Sequence, residues 1–346
     1  MRTTEQLNDQ GHTTEAGGGS RSKTMRAIVQ DQYGGADALH LEEIALPLVG
    51  ERDVLVRVHA AGVDRGVLHL MTGQLYIGRL VLGLRRPNTR VPGMNLAGVV
   101  VEVGSAVARF RPGDEVYGGG DGAFAEYASV AEGKLALKPT NLTFEQAAAV
   151  PVSGVTALKA LRTVGRVQAG QTVLVIGASG GVGSFAVQIA MALGARVTAV
   201  CSTSKIELVR SIGADDVVDY TREDFADRPE RYDLIVDIAG NRSLSHLRRA
   251  LTPHGTIVIT GGEEGGKWFG GMDRQIRGAA LSLFVRQNVR SFVAMANAED
   301  LQTLTELIEA RKVTPVIDRS YSLEDVPTAL RYLEAGLARG KVVIAL

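Results

Sequence analysis

One stretch, from Gln171 to Asp219, limits what this chain can fold into more than any other: QTVLVIGASGGVGSFAVQIAMALGARVTAVCSTSKIELVRSIGADDVVD. Thr172 to Ile176 is a β-branched apolar run, the pattern of a strand buried on both faces. It passes directly into Gly177-Ala178-Ser179-Gly180-Gly181-Val182-Gly183 and then into an apolar helical segment, Ser184 to Leu193, which Gly194 ends. A second buried strand, Arg196 to Cys201, follows. A glycine turn between strand and helix lets the backbone bend tightly and approach a diphosphate. The phosphate charge then meets the free N–H groups and positive dipole end of the helix. Alone, such glycine spacing often marks an ordinary turn; inside a complete β-α-β unit it predicts dinucleotide binding.

The end of the second strand selects the dinucleotide. NAD sites usually carry Asp or Glu there to hold the adenosine ribose hydroxyls. Here the strand ends Val200-Cys201-Ser202-Thr203-Ser204-Lys205. No carboxylate in this run would repel a 2′-phosphate, and three hydroxyls and an ammonium can hold one, which favours NADPH. The plainer alternative is a polar strand-to-helix turn in which Ser204 caps the next helix.

Composition excludes several other classes. The 346 residues suggest about two domains, and 45% hydrophobic with 22% charged residues is the balance of a globular protein. Formal net charge is zero, so nothing favours nucleic acid or an acidic membrane surface. One cysteine, Cys201, rules out an internal disulfide framework and a thiolate-rich metal site, and fits a cytoplasmic protein. Apolar runs stop well short of a membrane span.

Residues 1–24 are polar and glycine-rich and read as a disordered tail, with Met25 an alternative start. Up to about Ala148 the chain reads as strand-rich, with strands at Met25–Gln30, Val54–Ala60, Gly98–Val103, Glu115–Tyr117 and Ala123–Ser129. A helix over Phe144–Val150 then leads into Pro151. Beyond it strand and helix alternate, with further strands at Asp216–Tyr220, Tyr232–Ile238 and Gly255–Thr260 and a helix at Leu244–Leu251, the pattern of a doubly wound parallel sheet. Gly261–Gly271, with Trp268, reads as a loop and Met272–Leu283 as an amphipathic helix. Ser291–Ala296 reads as an edge strand suited to pairing across a homodimer. A helix over Ala298–Arg311, another opened by Ser322 within Tyr321–Gly336, and a final strand, Lys341–Ile344, close the chain. Arg331 and Lys341 read as surface charges and are assigned no role.

The segments VPGMNLAGVVVEVG, RPGDEVYG, GAFAEYASV and LTFEQAAAVPVSGVTALKAL, together with the nucleotide unit, resemble the medium-chain dehydrogenase/reductase superfamily over nearly all of Met25 to Leu346. The resemblance is strongest to its zinc-independent branch of quinone oxidoreductases, zeta-crystallin and enone reductases. It implies a GroES-like catalytic domain over 25–148, completed by 298–346, and a Rossmann NADP-binding domain over 149–297. It also implies NADPH-dependent reduction of a small hydrophobic quinone or α,β-unsaturated carbonyl. Zinc enzymes of the superfamily place ligands where this chain has Asp64, Met94-Asn95 and Val152-Ser153. One carboxylate beside a thioether and a valine does not make a tetrahedral site, so no metal is expected.

On the same resemblance, Asp64 stands where the branch usually has an Asn facing the nicotinamide end. His69 stands where that branch often has a Tyr and zinc enzymes a relay His; its near-neutral titration suits a proton donor. Tyr76 is a second candidate donor, and the apolar stretch Gly78–Pro87 a candidate lid. The plainer readings remain beside these: a turn carboxylate for Asp64, a structural histidine for His69, a surface helix for the lid. Ser153 and Thr156 would face the nicotinamide end, Ser179, Gly180, Gly181 and Val182 the diphosphate, and Ser202, Thr203, Lys205 and Tyr220 the 2′-phosphate and adenine ribose. Gly240 and Gly261 would bring backbone to the adenosine and nicotinamide halves. A metal-free alcohol or ketone oxidoreductase and a non-catalytic NADPH-binding protein are the alternative functions.

Overall fold

Strand pairing divides the chain into two principal sheets. The computed structural model describes residues 24–73, 79, 83–261 and 286–346. In the first half β1 (Thr24–Gln30), β2 (Leu39–Ala45), β3 (Asp53–Val63), α1 (Arg65–Thr72), β4 (Asn95–Val103), β5 (Glu115–Gly119), β6 (Tyr127–Ala131) and β7 (Leu135–Leu137) follow one another. Short α2 (Phe144–Ala148) comes next, and Thr143 and Gln146 close a reciprocal capping box at its start. α3 (Pro151–Leu158) follows, with Pro151 at the helix entrance, where a missing N–H costs nothing.

The second half holds β8 (Thr172–Ile176), α4 (Gly181–Ala192), β9 (Arg196–Cys201), α5 (Ile206–Ser211), β10 (Asp216–Asp219), β11 (Tyr232–Asp237), α6 (Leu244–Arg249), β12 (Leu251–Ile259) and β13 (Asn288–Ser291). All six strands are parallel, in the order β10-β9-β8-β11-β12-β13. The order reverses between β8 and β11, which opens a crevice at the carboxyl ends of those strands. Val173, Val175, Phe185, Val187 and Val236 fill the layer under α4, and Leu174, Ile235 and Ile257 the opposite face. That two-sided burial explains why these strands read as unbroken apolar runs.

After α7 (Ala298–Glu309) the chain returns to the first sheet as β14 (Ile317–Ser322), α8 (Val326–Glu334) and β15 (Lys341–Ala345). That sheet runs β14-β15-β3-β4-β5-β7, with β6 also pairing β3. Val342 lies opposite Val63 and Gly62 opposite Asn95. Lys341, Asp64 and Asn95 therefore stand side by side at one end of three adjacent strands.

Three expectations need correction, and two strands were missed. Ala123–Glu126 is not strand; it runs beside β1 through one bridge, Ala27 to Ala125, and two flanking backbone bonds. Among the described residues the last strand of the parallel sheet is β13, which ends at Ser291 opposite Ile259 of β12, and residues 292–296 are not strand. Ser322 ends β14 and donates its hydroxyl to Asp325, and the helix starts only at Val326. β2 and β14 were not anticipated: both are edge strands rich in charged or polar residues, without the alternation that marks a half-buried strand. Tyr76, Trp268, the helix expected over Met272–Leu283 and part of Gly78–Pro87 lie outside the described residues.

Candidate active site

A groove of about 760 Å³ lies between the carboxyl ends of the parallel sheet and the end of the first sheet. Its floor is the glycine turn. Gly177 has φ of 85°, a left-handed conformation that side chains rarely adopt. A Cβ on Gly183 would stand 2.1 Å from the Gly177 carbonyl oxygen, so the helix packs against the turn with no room for a side chain. Gly180 differs: its backbone is extended, and a Cβ there meets nothing nearer than 3.5 Å. The N–H groups of Gly181, Val182 and Gly183 begin α4 and have no intrahelical partner. A concave surface with free N–H groups at the start of a twelve-residue helix fits a diphosphate.

To one side of the turn, Cys201, Ser202, Lys205, Tyr220 and Phe225 line the adenosine half. Three of the expected contacts are arranged differently from the sequence reading. The Thr203 hydroxyl donates to Asp219, turning away from the groove. That bond, with others from Thr221, holds the Asp219 carboxyl below its usual range. Lys205 lines the groove, but its ammonium donates to the carbonyls of Ala338 at 2.9 Å and Gly336 at 3.3 Å, tying the parallel sheet to the returning segment. Burial foremost, with Arg339 nearby, lowers the Lys205 pKa. Gly240 sits behind the wall, its N–H bonded to Asp237 at 3.1 Å, and presents Asn241 and Arg242 to the groove in its place.

The other half of the groove is walled by Val63, Asp64, Arg65, Gly66, His69, Val152, Ser153, Thr156, Thr260 and Gly261. Its centre is a side chain that the sequence reading left on the surface. Lys341 is 2% exposed and pairs with Asp64, itself 9% exposed. The ammonium also donates to the Val63 carbonyl at 3.2 Å and to the Ser153 hydroxyl at 3.1 Å, so its three N–H groups are all used. Ser153 donates to Asp64 at 3.0 Å, and the Asn95 amide donates to the other carboxylate oxygen. Asn95 in turn accepts from the Val152 N–H at 2.7 Å. The stem of Lys341 lies over the glycine turn, with Cδ 2.9 Å from where a Gly181 Cβ would be.

The arrangement decides what each residue can do. Asp64 is saturated by three donors and serves neither as a free base nor as a ligand. Thr156 bonds back to the Val152 carbonyl at 2.6 Å. His69, on α1, lines the groove and is exposed to solvent. A zinc ion would find one carboxylate already neutralised by an ammonium, with an amide and a hydroxyl beside it. Among the described residues no three His, Cys, Asp or Glu side chains group to hold a metal. These donors do not fit zinc.

A doubly wound sheet with a diphosphate turn at its switch point, facing a β-rich domain that completes the groove, defines a dinucleotide-dependent oxidoreductase architecture. The alcohol dehydrogenase GroES-like domain matches residues 50–140, and the zinc-binding dehydrogenase family matches residues 212–344. The chain is 36% identical over 335 residues to the 2-methylene-furan-3-one reductase of Solanum lycopersicum, covering 92% of this chain and 79% of the relative. It is 37% identical over 338 residues to the chloroplastic NADPH-dependent alkenal/one oxidoreductase of Arabidopsis thaliana, covering 93% and 80%. The quinone oxidoreductase structure from Coxiella burnetii superposes with a TM-score of 0.82 at 27% identity, covering 94% of this chain and all of that one. The chain belongs to the medium-chain dehydrogenase/reductase superfamily, in its quinone oxidoreductase-like branch.

Proposed function

We propose that this protein is a zinc-free, NADPH-dependent reductase of quinones or α,β-unsaturated carbonyls. The observation that carries the reading is a groove joining a diphosphate turn to a wall in which Asp64 is taken up by Lys341, Ser153 and Asn95 rather than offered to a metal. The relatives named for alkenal/one and furanone reduction support the substrate class. We assign residues 25–148 with 298–346 to the catalytic domain and 149–297 to the nucleotide domain.

Bound NADPH supplies a hydride to an electron-poor carbon, and the resulting negative charge spreads onto a carbonyl oxygen. The chain's own residues bind, orient and supply a proton. Gly181, Val182 and Gly183 present N–H groups to the diphosphate. Ser202, Tyr220 and Lys205 flank the adenosine phosphate, where Lys205 must share its ammonium with the carbonyls it holds. The Lys341–Asp64–Ser153 network fixes one wall of the groove. His69 gives a proton to the reduced oxygen or adjacent carbon and recovers it from solvent. Because the donors around Asp64 do not fit zinc, alcohol oxidation that needs a Lewis acid to stabilise an alkoxide is disfavoured.

The apolar side chains just beyond β13, Val293 at 84% and Met295 at 67% exposure, support a homodimer joined on that side of the parallel sheet. The single cysteine supports a reducing compartment such as the cytoplasm, although the Arabidopsis relative is chloroplastic. Loss of NADPH absorbance with a benzoquinone and with a 2-alkenal, with and without chelator, tests the function. Chelator-insensitive turnover is expected. Cofactor binding with no turnover of any acceptor would instead identify a non-catalytic NADPH-binding protein.

A further inference from the structure

The buried Lys341–Asp64 pair adds little to fold stability that apolar residues could not supply. Burying two ions sacrifices hydration that their attraction roughly repays, and apolar residues of similar size often serve the fold as well. Every N–H of the ammonium and both carboxylate oxygens are bonded within the wall. What the pair does supply is a shielded positive and negative charge, held together, in the wall of the groove.

Its place in the groove gives that neutrality a consequence. The adenosine half extends from the glycine turn toward Ser202 and Tyr220, at the ends of β9 and β10. A dinucleotide crossing the switch point must continue the other way, over the ends of β11 and β12 and under Asp64, Ser153 and Thr156. The reacting ring would therefore lie beside the pair. Loss of hydride converts that ring from neutral to cationic. An isolated Asp64 carboxylate would hold the cation and retard its release. An isolated Lys341 ammonium would repel it. Arg65 and Arg242 also flank the groove, but both are partly exposed, where water screens them.

We propose that Lys341 and Asp64 form a charge-cancelling specificity pair that sets the relative affinity for reduced and oxidised cofactor. The proposal rests on the cofactor reading above and adds a role for two residues. The test is titration of NADPH and NADP⁺ against wild type, Asp64→Asn, Lys341→Met and the double variant, read as the ratio of the two dissociation constants. Asp64→Asn leaves the ammonium unpaired and is expected to weaken NADP⁺ relative to NADPH on the order of tenfold. Lys341→Met is expected to move the ratio the opposite way, and the double variant to return it near wild type.

A purely structural role would weaken both forms by the same factor, and an unmoved ratio in the single variants overturns the proposal. Asp64→Asn keeps the size of the side chain and one acceptor oxygen for Lys341 and Ser153, exchanging only the oxygen that faces Asn95 for an NH₂ donor, so it carries the test even where Lys341→Met fails to fold. Failure of wild type to bind either form would overturn the cofactor reading instead, a result distinct from an unmoved ratio.

Discussion

Two glycines of the same turn should fail for different reasons when given a methyl group. In Gly183→Ala the new Cβ would lie 2.1 Å from the Gly177 oxygen and 2.7 Å from backbone atoms of Ala178. Ordinary contact needs well over 3 Å, so α4 and the turn must separate. Overpacking of backbone against backbone costs roughly 1–3 kcal/mol, which lowers Tm by several degrees in a chain of this size. In Gly180→Ala the backbone is already extended and the nearest atom is 3.5 Å away, so stability should change by less than about 0.5 kcal/mol. The methyl group would instead stand on the groove side of the turn, where a diphosphate approaches, and NADPH affinity should fall about tenfold or more. Thermal melting and NADPH fluorescence titration on the two variants separate the effects. The reasoning is refuted if Gly180→Ala melts as early as Gly183→Ala, or if it binds NADPH as wild type does.

Other outcomes follow from the same geometry. Lys205→Met should lose both Tm and preference for NADPH over NADH, since its ammonium bonds the Gly336 and Ala338 carbonyls; a changed preference at constant Tm would contradict the tie between sheets. Tyr117→Phe removes hydroxyl bonds to the Leu301 carbonyl at 2.7 Å and to Thr305 at 2.9 Å, and should cost about 1–2 kcal/mol in denaturant unfolding with cofactor affinity unchanged. Burial pushes the Cys201 thiol up to about 11. Only about one molecule in a thousand is then thiolate near pH 8, and alkylation should run about a hundredfold slower than for an ordinary cysteine; equal rates would refute the burial argument.

The nucleotide half was legible because each feature is local. A two-sided strand, a glycine turn and an apolar helix each leave a pattern within a few residues, and the turn falls where it was read. Lys341 was not legible, because its burial comes from β15 pairing with β3, a strand nearly 280 residues earlier. One signal was available: a lysine opening the buried run Val342-Val343-Ile344, next to Gly340, has little surface to reach. Thr203 was misassigned for a similar reason. The partner that turns it away, Asp219, lies on β10, and only the strand register places it opposite Cys201. β2 and β14 escaped because edge strands bury too little to need alternation.

The most direct test of hydride transfer to a carbon–carbon double bond follows a label. The protein would be supplied with NADPH deuterated at the transferable position and with a 2-alkenal, and the product examined by mass spectrometry and NMR. One deuterium on the carbon β to the carbonyl of a saturated aldehyde is the predicted result. Deuterium on the carbonyl carbon of an unsaturated alcohol would contradict the account and make the protein a carbonyl reductase.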